Sequence, residues 1–204
     1  KAMGISGIDG GLITASMRDP RLGFVGNIKE INIEPVTDLL ENGYIPVIST
    51  IGCDKAGNIY NINGDTAAAC IAGALNAKRL IMMTDIAGIL RDKDDPSTLI
   101  PDMTIQEAEK LFEDGIISGG MIPKVNCCID AIHRGVKKVI IMDGRVPHSL
   151  PMREPERWLR ENSVKLHEIG LFVPLFHAQI FLKNGPQPIF VSKENTVEFH
   201  SYLR

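Results

Sequence analysis

The chain has 204 residues, 44% of them apolar and 23% charged, with a formal net charge of -3. That length supports one or two domains with a true core, and the composition is ordinary for a globular protein. The charge excludes a global basic field that would draw in nucleic acid or an anionic membrane, and no apolar run reaches the roughly 20 residues that cross a bilayer.

No signal-peptide pattern opens the sequence, and a first residue of Lys1 leads us to expect a fragment or a processed chain. Cys53, Cys70, Cys127 and Cys128 have no Cys-x-x-Cys spacing. We therefore expect reduced packing cysteines in a cytoplasmic protein rather than a zinc or dithiol site.

In chain order, "GISGIDGGLITAS" (4–16) reads as strand, turn, strand, with Asp9-Gly10 as a hairpin signal. "LGFVGNIKEIN" continues extended. "EPVTDLLENG" reads as a short helix with Pro35 near its start and Gly43 past its end. "YIPVIST" is a short apolar strand. After a loop, "GDTAAACIAGAL" is a helix of small residues, for which Asp65 is the natural N-cap. "KRLIMMT" is a strand that ends at Asp85. "TIQEAEKLFEDG" carries a capping box from Thr104 to Glu107 and stops at Gly115. "MIPKVNCCIDAIHRG" is a helix with Pro123 in its first turn and Gly135 as its stop. Its apolar face is Val125, Cys128, Ile129 and Ile132; Asn126, Asp130, His133 and Arg134 point outward. "KKVIIMDG" is a last apolar strand.

Strands alternating with helices imply an α/β fold around a mainly parallel sheet. Ligands in such sheets bind beyond the carboxyl ends of the strands, where Asp85 and Asp143 fall. Near Leu150 the composition changes. The segment 151–204 holds five of the seven Phe and the single Trp, but two of the nineteen Gly. It reads as a divergent tail, with an amphipathic helix over 151–170 and a short hairpin over 185–203.

The chemistry points to anions. In "GIISGGMIPKVN" two glycines precede a helix whose first turn holds Lys124. Glycines let backbone N–H groups approach an anion, and the helix N-terminus adds positive potential. A first-turn lysine opposes the dipole unless a phosphate sits between them; a flexible loop with a solvated lysine is the plainer alternative. "MTDIAGIL" offers a strand end, a polar pair and a glycine turn suited to a nucleotide, or simply a strand exit. "RDKDDPSTL" lacks the ligand order of a calcium loop and reads as a solvated loop. The histidines show no metal-ligand pairing, and there is no Walker A motif, no Gly-x-Gly-x-x-Gly and no Gly-x-Ser-x-Gly.

Taken in order, "GFVGNI", "YIPVIST", "YNINGDTAAA", "LIMMTDIAGIL" and "GGMIPKVN" closely resemble the amino-acid kinase family over residues 1–150. "ENGYIPVIST" and "GILRDKDDPSTL" are most similar to its branch that phosphorylates N-acetyl-L-glutamate in arginine biosynthesis, rather than carbamate, uridylate or aspartate. The resemblance implies a three-layer α/β sandwich, ATP with Mg2+ carried on the nucleotide, no protein-held metal and a homo-oligomer in intact members. It implies that Asn61 binds acetylglutamate, that Lys124 stabilises charge on the transferring phosphoryl group and that Asp65 orients the lysine. Asp85, Ile86, Ala87, Gly88, Ile89 and Leu90, with Ile116, Ile117 and Ser118, would line the ATP site, and "GFVGNI" would form the hairpin over the acceptor.

The family pattern also has an upstream strand with a lysine and paired glycines, a second glycine-rich loop and a substrate-binding arginine. None has a match here, so we expect weak or absent transfer, missing central strands and an exposed sheet edge. Past "DGRVPHSL" the family's acidic segment is replaced by "PMREPERWL", so arginine feedback is not carried over. A non-catalytic nucleotide-binding or subunit-interaction fragment, or another branch of the family, remains the alternative.

Overall fold

A computed structural model describes residues 1–86, 88–92, 94–145, 164–166, 178–181 and 188–192. The fold is a three-layer α/β sandwich on a mainly parallel eight-stranded sheet, with a second, four-stranded sheet beside it. In chain order the strands are β1 (Ala2–Ser6), β2 (Ile13–Met17), β3 (Gly26–Ile31), β4 (Ile45–Ser49), β5 (Ile51–Cys53), β6 (Ile59–Asn61), β7 (Arg79–Thr84), β8 (Asp102–Met103), β9 (Val139–Asp143), β10 (Val164–Leu166), β11 (Ala178–Phe181) and β12 (Pro188–Ser192). The helices are α1 (Glu34–Glu41), α2 (Gly64–Ala74), α3 (Ile105–Glu113) and α4 (Met121–His133).

The large sheet runs β1-β4-β12-β11-β7-β9-β10-β8. Its parallel pairs are β1/β4, β4/β12, β7/β9 and β8/β10. The strands β7 and β9, "RLIMMT" and "VIIMD", are apolar along nearly their whole length because helices cover them. An exposed sheet edge was expected; β4 and β7 instead pair with β12 and β11. In the tail, β11 and β12 pair antiparallel, so the first strand begins upstream of the expected 185, and residues 193–203 of the expected hairpin lie outside the described residues. Val164–Leu166 form a strand inside the expected helix, whose other residues, 151–163 and 167–170, lie outside the described residues.

Asp9-Gly10 does not close a hairpin. β1 joins the large sheet, whereas β2 pairs antiparallel with β3. Asp9 Oδ2 accepts the Ser6 N–H at 2.7 Å, and a single 3-10 turn with Gly10 at φ 57° redirects the chain between the sheets. The loop before α2 is also more ordered than its sequence suggested. β5 and β6 pair around Asp54, whose carboxylate accepts the N–H groups of Ala56 and Asn58, the Asn58 amide and the Tyr60 hydroxyl. Those donors, the Asn58 and Tyr60 side chains foremost, hold its pKa down at about 2.

The helix signals match the structure. Pro35 sits in the first turn of α1, the Thr104–Glu107 capping box opens α3, and Pro123 lies in the first turn of α4. The buried side of α4 is Val125, Cys128 and Ala131, with Ile129 and Ile132 packed at its margin. The core is continuous, from Leu12 and Ile13 through α2 to β7 and β9.

Candidate functional site

Helices α2 and α4 run side by side in the same direction. Asp65 meets Lys124, Thr66 meets Cys127, and Gly73 lies against Arg134, so contacts advance together along both helices. The small residues Ala67, Ala68, Ala69, Ala72 and Gly73 are buried and allow this close approach. Each helix precedes a parallel strand, β7 or β9. Both N-termini therefore lie at the carboxyl edge of the sheet, where the dipoles and free backbone N–H groups favour an anion.

At that edge Lys124 Nζ donates to Asp65 Oδ2 at 3.0 Å. The two side chains are 18% and 33% exposed, partly shielded yet open to a ligand. Asp65 does not cap α2. Asn63 does, its Oδ1 accepting the Thr66 N–H at 3.0 Å. Gly64 becomes the first helical residue, which leaves the Asp65 carboxylate free for Lys124. The sequence offered two acceptable caps, Asn63 and Asp65, and propensity alone does not rank them.

Asn61 ends β6. Its N–H donates to the Phe24 carbonyl at 2.8 Å, and it bridges Val25. The outer strands of the four-stranded sheet thus meet beside the β2–β3 hairpin, and the exposed Asn61 side chain lies next to "GFVGNI". Phe24, 68% exposed, rests its ring 6.5 Å from that of Tyr60.

On the nucleotide side, Asp85 is exposed immediately after β7 and accepts the Thr84 hydroxyl at 3.1 Å. Ile86 is half-buried, Gly88 is buried with φ 147°, and Ile89 packs into the core. Leu90 bridges Leu99, and the Ile89 carbonyl accepts the Ile100 N–H. From Ile89 a ligand can meet backbone only; Ala87 lies outside the described residues. Ile116 is half-buried, Ile117 is core, and Ser118 is exposed, its carbonyl accepting the Met121 N–H at the start of α4.

One group was not singled out from sequence. Arg145 forms a two-pronged bond to Asp143 beyond β9, at 3.0 and 2.8 Å, and feels the charge of Asp85. The Arg145 guanidinium holds the Asp143 carboxyl below its ordinary range. The Asp-Gly-Arg order after an apolar strand was the available signal. Among the described residues no three His, Cys, Asp or Glu side chains group as metal ligands.

The chain resembles proteins called acetylglutamate kinase. It is 51% identical over 151 residues to that of Clostridioides difficile (strain 630), covering 74% of this chain and 53% of the relative. It is 53% identical over 152 residues to that of Brachyspira hyodysenteriae (strain ATCC 49526 / WA1), covering 74% and 53%. The chain thus spans about half the length of the curated relatives it matches. Among solved structures, smu.665 from Streptococcus mutans UA159 superposes with a TM-score of 0.63 at 29% identity, covering 70% of this chain and 57% of that one. The pattern of the amino acid kinase family matches residues 1–143, the span that holds Asn61, Asp65, Asp85 and Lys124. The chain belongs to the amino acid kinase family.

Proposed function

We propose that the chain carries the phosphoryl-transfer site of an acetylglutamate kinase. ATP, carrying Mg2+, passes its γ-phosphoryl group to the γ-carboxylate of N-acetyl-L-glutamate. One observation carries the reading: the Asp65–Lys124 pair joins two helix N-termini beside the exposed Asn61. The half-sequence identity to acetylglutamate kinases supports the choice of acceptor.

The chemistry asks little covalent work of the protein. The acceptor carboxylate is ionised at pH 7, so it attacks phosphorus without a general base. The oxygen–phosphorus bond to it forms as the bond to the ADP leaving oxygen breaks, giving an acyl phosphate. What the site must supply is alignment and positive charge. Lys124 neutralises the equatorial oxygens, and Asp65 keeps its ammonium aimed. Asn61 holds the acceptor. Asp85 to Leu90 and Ile116 to Ser118 line the nucleotide. Among the described residues no three His, Cys, Asp or Glu side chains group as metal ligands, so Mg2+ would come with the nucleotide, held by its phosphate oxygens and water.

Lys124 is the cation that pairs with Asp65 among the described residues, and slow transfer is proposed for this chain, which spans about half the length of its relatives. Losing one charge-stabilising donor typically costs 100- to 1,000-fold, or about 3–4 kcal/mol. The test is acyl-phosphate formation, trapped as a hydroxamate, with acetylglutamate, aspartate and carbamate as acceptors, alongside ADP release with UMP. A slow signal with acetylglutamate alone, abolished in Lys124→Ala, is expected. A signal with another acceptor refutes the choice of substrate, and fast turnover refutes the expectation of slow transfer. The same proposal includes cytoplasmic residence, which cell fractionation tests, and self-association, which light scattering tests.

A second reading rests on the chain's matching about half of its relatives' length: a fragment that binds nucleotide without turnover. It predicts stabilisation by Mg-ATP and no hydroxamate with any acceptor.

A further inference from the structure

We propose that Thr66, backed by Asn63, is a positioning residue that sets the Asp65–Lys124 pair and thereby the grip on the triphosphate. The inference rests on the nucleotide reading above. Thr66 lies next to Asp65 in the first turn of α2. Its Oγ1 is 3.3 Å from Asn63 Oδ1 and 3.6 Å from Cys127 Sγ on α4. Cys127 lies three residues beyond Lys124, on the neighbouring turn of the same helix face.

The proton arrangement follows from donor chemistry. Asn63 Oδ1 faces the Thr66 N–H, a donor, so that atom is the acceptor oxygen and not the amide nitrogen. A carbonyl oxygen only accepts, so the single Thr66 hydroxyl proton points to Asn63. The Thr66 oxygen must then accept from the Cys127 thiol. Burial pushes the Cys127 pKa up and keeps that thiol protonated, as the arrangement requires. The chain Cys127 to Thr66 to Asn63 thus ties the first turn of α2 to α4, one turn from the Asp65–Lys124 bond. It fixes both the rotation of α2 at Asp65 and its distance from Lys124.

The experiment is a double-mutant cycle on the full chain, reading Mg-ATP affinity from melting temperature against ligand concentration. Thr66→Val, which keeps the shape and removes the hydroxyl, is expected to weaken Mg-ATP about fivefold, while Thr66→Ser keeps affinity within about twofold. On an Asp65→Asn background Thr66→Val should cost less than about twofold, because the pair it positions is already broken. A purely structural threonine would lower the ligand-free melt in both backgrounds and weaken nucleotide equally in both. That additive result, or no loss in Thr66→Val, overturns the proposal. If Thr66→Val does not fold, Cys127→Ala removes the same contact from α4 and is read in the same cycle. If the parent chain does not bind Mg-ATP, the nucleotide reading fails and this inference falls with it; binding with additive losses refutes the positioning role alone.

Discussion

Gly73→Ala sets two well-defined effects against each other. In an open helix the change adds about 1 kcal/mol of stability, because alanine loses less backbone freedom than glycine. At this position the new Cβ would lie 2.5 Å from Arg134 Cβ, and 3.1 and 3.3 Å from Arg134 Cδ and Cγ. Comfortable carbon contact begins near 3.5 Å. The nearest atom is fixed to the backbone of α4, so swinging the Arg134 side chain aside does not relieve it. The helices must separate by about 1 Å, and such overpacking costs about 1–3 kcal/mol. Sterics therefore cancel or outweigh the helix gain, with a net loss of up to about 2 kcal/mol once that gain is subtracted. For a chain of this size that lowers the melting temperature by up to about 8 °C. Denaturant titration should show a lower midpoint with an unchanged slope. A variant that is more stable than the parent by about 1 kcal/mol would mean that propensity prevailed, and the close α2–α4 approach would be refuted. The same seam ends at Asp65–Lys124, eight residues or about 12 Å along α2, so Mg-ATP binding should weaken in parallel.

Further outcomes follow from single groups. Thr104→Ala removes the hydroxyl that accepts the Glu107 N–H and should cost about 1 kcal/mol in a denaturant titration; an unchanged midpoint would deny the cap its role. Asp54 has a native pKa near 2 against an ordinary value of 3.8. Its folded pKa is the lower one, so its contribution is full above about pH 4 and fades as the pH falls toward 2. The side-chain amide signals of Asn58 should shift over that window in an NMR titration, and a midpoint at 3.8 would contradict the bonding. Burial pushes the Cys128 thiol well above its ordinary range and the Cys70 and Cys127 thiols up. A disulfide-forming thiol reagent at neutral pH should therefore label the half-buried Cys53 first and Cys128 last; early loss of Cys128 would mean that the α4 core side is open.

Much of the scaffold was legible because it depends on local signals. The Pro-to-Gly bounds of α1, the capping box of α3 and the apolar runs of β7 and β9 all reflect short-range sterics and hydrogen bonding. What failed was long-range. Asp9-Gly10 looks like a hairpin, yet β1 finds its partner in β4, some forty residues away. The strands β5 and β6 have three residues each, too few to show a period, and depend on Asp54 to hold their turn. The cap of α2 was misplaced by two residues because Asn63 and Asp65 both suit the role and Gly64 tolerates either side of the boundary. In the site, Lys124 stood out at a glycine-flanked helix start, but its partnership with Asp65 came through family resemblance; no periodicity joins residues 59 positions apart. Asp143 was legible as a strand end, but its partner Arg145 was not, because a strand exit carries no charge pattern of its own.

The most direct test of the central claim is a thermal melt with and without Mg-ATP, on the full chain and on Lys124→Ala. The account predicts a cooperative transition that Mg-ATP raises in the parent and raises clearly less in the variant. Removing Lys124 loses the ammonium at the joined N-termini of α2 and α4. An equal rise in both would place the nucleotide elsewhere. A parent transition that Mg-ATP does not move would contradict a phosphate site at Asp65 and Lys124.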